Sequence, residues 1–137
     1  MEWIWLEVCV VFMINLFMWG VILILPPIVI IRDEIKLFKL HPLGMTFLNI
    51  ILITGKYNTK AVLKHELEHV RQHRIFSPVG LAIFILFHYS YLYYNHRSFS
   101  LVYKNSILEK WANEKMYSPG ELPRYILYID RISHPKV

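Results

Sequence analysis

Hydrophobic and polar positions divide this chain into blocks of different period. Residues 3–25 are apolar almost without break, with Glu7 and Asn15 the only strongly polar side chains, and Pro26-Pro27 closes the run. At 1.5 Å per residue such a helix covers about 34 Å, enough for a bilayer core. A retained anchor is expected rather than a cleaved leader, because the stretch lacks a basic start and ends in prolines instead of a small-residue cleavage site.

Beyond the prolines, residues 34–40 alternate as EIKLFKL, His41-Pro42-Leu43-Gly44 supplies turn residues, and residues 45–54 are rich in β-branched and apolar side chains. This predicts two strands, paired as a small hairpin. Gly55 to Asn58 breaks the pattern, and a helix is expected from Asn58 or Thr59, either of which can cap it, to about Arg74, with Pro78 and Gly80 marking its exit. Residues 79–94 form a second apolar stretch, short for a span and long for a core helix. Spanning, packing beneath a site, lying in the interface and re-entering are all open to it. Residues 105–117 read as a helix ending at Ser118-Pro119-Gly120, and residues 124–132 as a strand or short helix.

Composition sharpens this picture. A content of 55% hydrophobic residues in 137, with a mean hydropathy of +0.37, exceeds that of an ordinary soluble domain. The division expected is an anchor and juxtamembrane segment over 1–31 and a compact domain over 32–137. The net charge of +5 comes from Lys and Arg that begin at Arg32, Lys36 and Lys39. The positive-inside bias then places the later part in the cytoplasm of a single-pass membrane protein. No dense basic stripe with interleaved aromatics is present, so nucleic acid is not an expected partner. Cys9 is the single cysteine, which excludes an intramolecular disulfide and a cysteine metal site.

The candidate chemistry lies in His65-Glu66-Leu67-Glu68-His69, an H-E-x-x-H motif on the predicted helix. Residues four apart share a helical face, so both imidazoles can reach one ion, and Glu66 projects beside them as a general base. A wheel of the helix puts Leu63, Leu67 and Val70 on a core face. It puts Lys60, Lys64, Glu68 and Arg71 on a solvent face, and His65, His69, Glu66 and Val62 on a metal face. Zinc suits this ligand set, and a catalytic zinc normally takes three protein ligands. Glu109, Glu114 and His73 are the candidates for the third. Glu114 lies about 140° from Glu109 on a helix, and three histidines in register cannot converge tetrahedrally on one ion. Glu109 is favoured, since Ala112 permits close helix approach and Asn113 can accept a hydrogen bond from the outer nitrogen of a ligand histidine.

The run Leu63-Lys64-His65-Glu66-Leu67-Glu68-His69-Val70-Arg71-Gln72 resembles the active helix of membrane gluzincin peptidases. In that group a later segment shaped like N-P-x-E-x-E-A-D supplies the third zinc ligand, and NSILEKWAN over 105–113 aligns Glu109, Ala112 and Asn113 with it. Trp111 replaces the usual second glutamate, and Asn113 the aspartate. The resemblance covers about residues 44–117. It implies an α+β fold, a transmembrane helix followed by a minimal gluzincin-like domain with a small β-hairpin. It also implies an edge strand over 47–54 that pairs with an extended peptide substrate. The reaction implied is hydrolysis of a peptide bond by metal-activated water, with Glu66 moving the proton. Tyr103, His88 and His96 are of the right type to donate to the oxyanion, but packing or interfacial anchoring is the expected role of each, and the donor is not identified. The rival function is a noncatalytic zinc-binding membrane protein acting as sensor, adaptor or structural component. A membrane-perturbing or partner-binding peptide with an incidental metal site is a third.

Overall fold

The computed structural model describes residues 2–32, 35, 43–55, 59–123 and 126–130. These form five helices and a mixed four-stranded sheet, an α+β arrangement. The elements are α1 (Glu2–Ile24), β1 (Ile28–Arg32), β2 (Gly44–Phe47), β3 (Ile50–Thr54) and α2 (Thr59–Phe76). They continue with α3 (Pro78–His96), α4 (Phe99–Asn105), α5 (Ile107–Tyr117) and β4 (Leu127–Asp130). The chain separates into two compact units, one of residues 1–25 with 71–110 and one of residues 26–70 with 111–137.

In the second unit the sheet order is β2-β3-β1-β4. The β-branched run Ile28-Val29-Ile30-Ile31 follows the two prolines and sits mid-sheet, parallel to β3 on one side and to β4 on the other. Alternation aims Val29, Ile51 and Ile53 into one layer, where α2 lays Val62, Leu63 and Val70 over them. Ile31, Leu67, Met116, Leu122 and Ile126 close the margin of this core. Each of the six fully buried side chains stabilises the unit by about 1.5–3 kcal/mol relative to exposure.

The hairpin departs from expectation in its register. It lies inside residues 44–54, where the single expected strand breaks at Leu48-Asn49, and β2 and β3 pair antiparallel across that turn. Leu48 carries the break with a left-handed φ of 55°. Among the described residues β2 and β4 are the edges of the sheet, whereas β3, which covers most of the expected edge strand 47–54, is paired on both sides. The alternating stretch 34–40 and the cap position Asn58 lie outside the described residues, except for Ile35, which is buried and not in a strand.

In the first unit α1 is long and apolar enough to cross a membrane. It presents apolar side chains all round, Trp3, Phe12 and Phe17 among them. Its polar contacts begin at Asn15, near the middle, and continue along one seam toward the C-terminal end. Trp19 Nε1 donates to the Arg74 carbonyl at 2.8 Å, and the Arg74 guanidinium donates to the carbonyls of Ile22 at 3.1 Å and Leu25 at 3.0 Å. Arg74 thus satisfies terminal carbonyls of α1 that the helix itself leaves open. Ser77, with φ 61°, breaks α2 from α3 in one residue, and Pro78 opens α3 rather than trailing α2.

Candidate functional site

Helix α2 brings His65 and His69 together as the motif requires. Their Nε2 atoms are 3.2 Å apart, and the ring centres are 4.9 Å apart with planes at 81°. Two imidazoles that share one zinc at about 2.0–2.1 Å and a near-tetrahedral angle stand about 3.3 Å apart at nitrogen and about 5 Å apart at ring centre. A collinear N–H···N hydrogen bond of the same length would hold the centres about 5.5 Å apart. The rings are thus angled toward a common point rather than at each other, and the pair fits a divalent ion bound through both Nε2 atoms.

Glu66 lies between the two histidines in sequence and is buried. Thr46 of the edge strand β2 holds it, with Oγ1 2.7 Å from Glu66 Oε2 and 3.1 Å from the Glu66 carbonyl oxygen. Two residues earlier on the same face, Gly44 lets the strand approach. A Cβ there would sit 2.5 Å from Glu66 Oε1 and 2.8 Å from both Glu66 Cγ and Val62 Cγ1. Neither Thr46 nor Gly44 was anticipated as part of the site. The available signal was a glycine opening a strand, which marks close approach of another group.

The wheel of α2 needs one revision. Glu68, assigned to solvent, is buried at 6% exposure, and Val62, assigned to the metal face, is buried in the core. Lys64 is half-buried and donates to the Ser118 carbonyl at 2.8 Å.

Glu109 belongs to the other unit and is buried in the first turn of α5. That turn is pinned from two sides. Gln72 Nε2, almost fully enclosed, donates to the Leu108 carbonyl at 2.9 Å, and His88 Nε2 accepts the Ile107 N–H at 3.2 Å. His88 is therefore engaged in capping α5 instead of offering an oxyanion donor. Ala112 is fully enclosed, as small-residue packing requires, whereas Asn113, Glu114 and Trp111 are exposed. An exposed amide is a weak support for a ligand imidazole, because water competes for its hydrogen bonds. Of the remaining candidates, His73 is half-buried and Tyr103 and His96 are exposed.

By type, the two imidazoles and the Glu109 carboxylate are a donor set that could hold a metal ion, each residue offering one ligand atom. Comparison with protein-family models, with curated proteins and with solved structures finds no match to this chain.

Proposed function

We propose that this chain is a membrane-anchored zinc-dependent endopeptidase of the gluzincin type, with His65, His69 and Glu109 holding the ion and Glu66 as general base. The observation that carries the reading is the His65–His69 pair, angled toward one point with 3.2 Å between nitrogens, on the same helix as a buried carboxylate. Two neutral nitrogens and a carboxylate leave a fourth position open, the composition of a catalytic rather than a closed structural site.

The ion supplies Lewis acidity to the attacking water and to the scissile carbonyl. Glu66 takes the proton from that water and returns it to the leaving amine. Thr46 fixes one oxygen of this carboxylate. Among the described residues β2 is paired on one side only, so an extended substrate can add to its outer edge and run past Thr46 and Glu66. Helix α1 anchors the chain as a single span. The basic residues that follow it, beginning with Arg32, put the peptidase on the cytoplasmic side.

The test is metal content and hydrolysis of a broad peptide library by the purified protein in detergent, beside Glu66→Gln and Glu109→Ala. The expected result is about one zinc per chain, cleavage by the wild type, retained zinc without cleavage in Glu66→Gln, and weakened zinc in Glu109→Ala. Zinc without cleavage by the wild type would sink the peptidase and leave a noncatalytic zinc protein. Absence of zinc would sink both.

A further inference from the structure

The two ends of α3 are built for different solvents. Every amide of its first turn is settled without water. Pro78 has none, the Val79 N–H donates to Asn15 Oδ1 at 3.0 Å, Gly80 to Ser77 Oγ at 3.2 Å, and Leu81 to the Ser77 carbonyl at 2.9 Å. A helix start leaves its first amides to capping side chains or to water, and in hydrocarbon, where there is no water, protein groups must satisfy them. The far end is the reverse. Arg97 stacks over the Tyr94 ring at 5.3 Å, and Ser98, the same residue type as Ser77, makes no side-chain cap at the start of α4. Between these ends Val79, Ile83, Leu86, Phe87, Tyr91 and Tyr94 form one exposed helical face, and no Asp, Glu, Lys or Arg occurs within α3.

Depth follows from Asn15. It lies about 2 Å beyond the midpoint of the apolar window Trp3–Ile24 at 1.5 Å per residue, so a bilayer crossed by α1 puts the start of α3 near mid-depth. Direction follows from α5. Gln72 precedes the Ser77 corner and Leu108 follows α3, yet the two are hydrogen-bonded, and His88, halfway along α3, holds Ile107 next to Leu108. Had α3 continued across the membrane, His88 would lie about 16 Å beyond the corner on the far side, out of reach of a residue adjoining Gln72's partner.

We propose that the corner at Ser77 is a re-entrant membrane element. The end of α2 descends beside the last turns of α1 to mid-bilayer, and α3 returns to the same face with Val79, Ile83 and Phe87 against acyl chains. Tyr91, Tyr94 and Arg97 meet the headgroups, where tyrosine rings and a basic side chain are both favoured. Lipid is the occupant of this face because its basic end, its aromatic margin and the apolar α1 beside it match a bilayer in order of depth. The inference rests on α1 spanning and not on peptide hydrolysis.

The experiment places single cysteines at Phe12, Ile83, Phe87, Tyr94, Ser98 and Trp3 in the full chain carrying Cys9→Ser, reconstituted in phosphatidylcholine–phosphatidylglycerol vesicles. An impermeant maleimide is added to either side. Ile83→Cys and Phe87→Cys should label at least ~10-fold more slowly than Ser98→Cys, with Phe12→Cys equally protected. Tyr94→Cys and Ser98→Cys should react from one side and Trp3→Cys from the other. In that background Asn15→Leu, which leaves the Val79 amide unsatisfied, should raise the Ile83→Cys rate several-fold. Reaction of Tyr94→Cys from the Trp3 side would make α3 a crossing helix and overturn the proposal. So would an Ile83→Cys rate equal to that of Ser98→Cys, or a Phe12→Cys rate showing that α1 is not embedded.

Discussion

Thr46 Oγ1 lies 2.7 Å from the Glu66 carboxylate, so the edge strand of the sheet holds the base of the candidate site. The hydroxyl donates to one oxygen, orients the other and competes for none of the histidine nitrogens. Thr46→Val keeps shape and removes the donor. Hydrolysis should fall about 10-fold, in line with the loss of a hydrogen bond to a charged group, with zinc content unchanged and Thr46→Ser restoring most of it. Comparing kcat with bound zinc separates this from loss of the ion.

Gly44 tests the approach of strand and helix. A methyl group there meets the Glu66 side chain and Val62 at once, and Val62 is held in the core. Gly44→Ala should cost about 1–3 kcal/mol by overpacking and should also displace Glu66. A chemical denaturation curve reads the first effect, and hydrolysis at matched folded fraction reads the second.

Metal and fold should be coupled. A ligand that binds only the folded state at about 1,000 times its Kd stabilises it by about 4 kcal/mol. Chelator treatment should therefore lower Tm as well as abolish hydrolysis, with zinc restoring both. His69→Ala should be insensitive to the chelator and bind zinc more than ~100-fold more weakly. A wild-type Tm indifferent to chelator would count against a site that pins folded elements.

Gln72 is a buried amide whose nitrogen reaches the Leu108 carbonyl. Gln72→Ala removes that hydrogen bond and opens space, and should destabilise the protein by about 2–4 kcal/mol. Gln72→Met, which refills the volume, should recover the packing part alone. The difference between the two melting curves measures the hydrogen bond.

What could be read along the chain was whatever depends on neighbours in sequence. The length and uniform apolarity of α1, the four-residue spacing that aligns His65 with His69, and the placement of Glu66 beside them are properties of a helix, set by its 3.6-residue repeat. Burial of Glu109 and Ala112 followed in the same way from the period of α5. Elsewhere the outcome depended on partners distant in the chain. Ile28-Val29-Ile30-Ile31, which reads as a juxtamembrane segment, became a central strand only because β3 and β4 lie on both sides of it. The run 45–54 split at Leu48 because the resulting hairpin pairs more backbone than one strand could. Thr46 joined Glu66 through the approach of the edge strand to α2. For α3, apolarity alone left spanning, packing and re-entry open. Tertiary hydrogen bonds at Asn15, Gln72 and His88 tie the start of α3 to α1 and its middle to the start of α5, contacts that a hydrophobic pattern, blind to which surfaces face each other, does not carry.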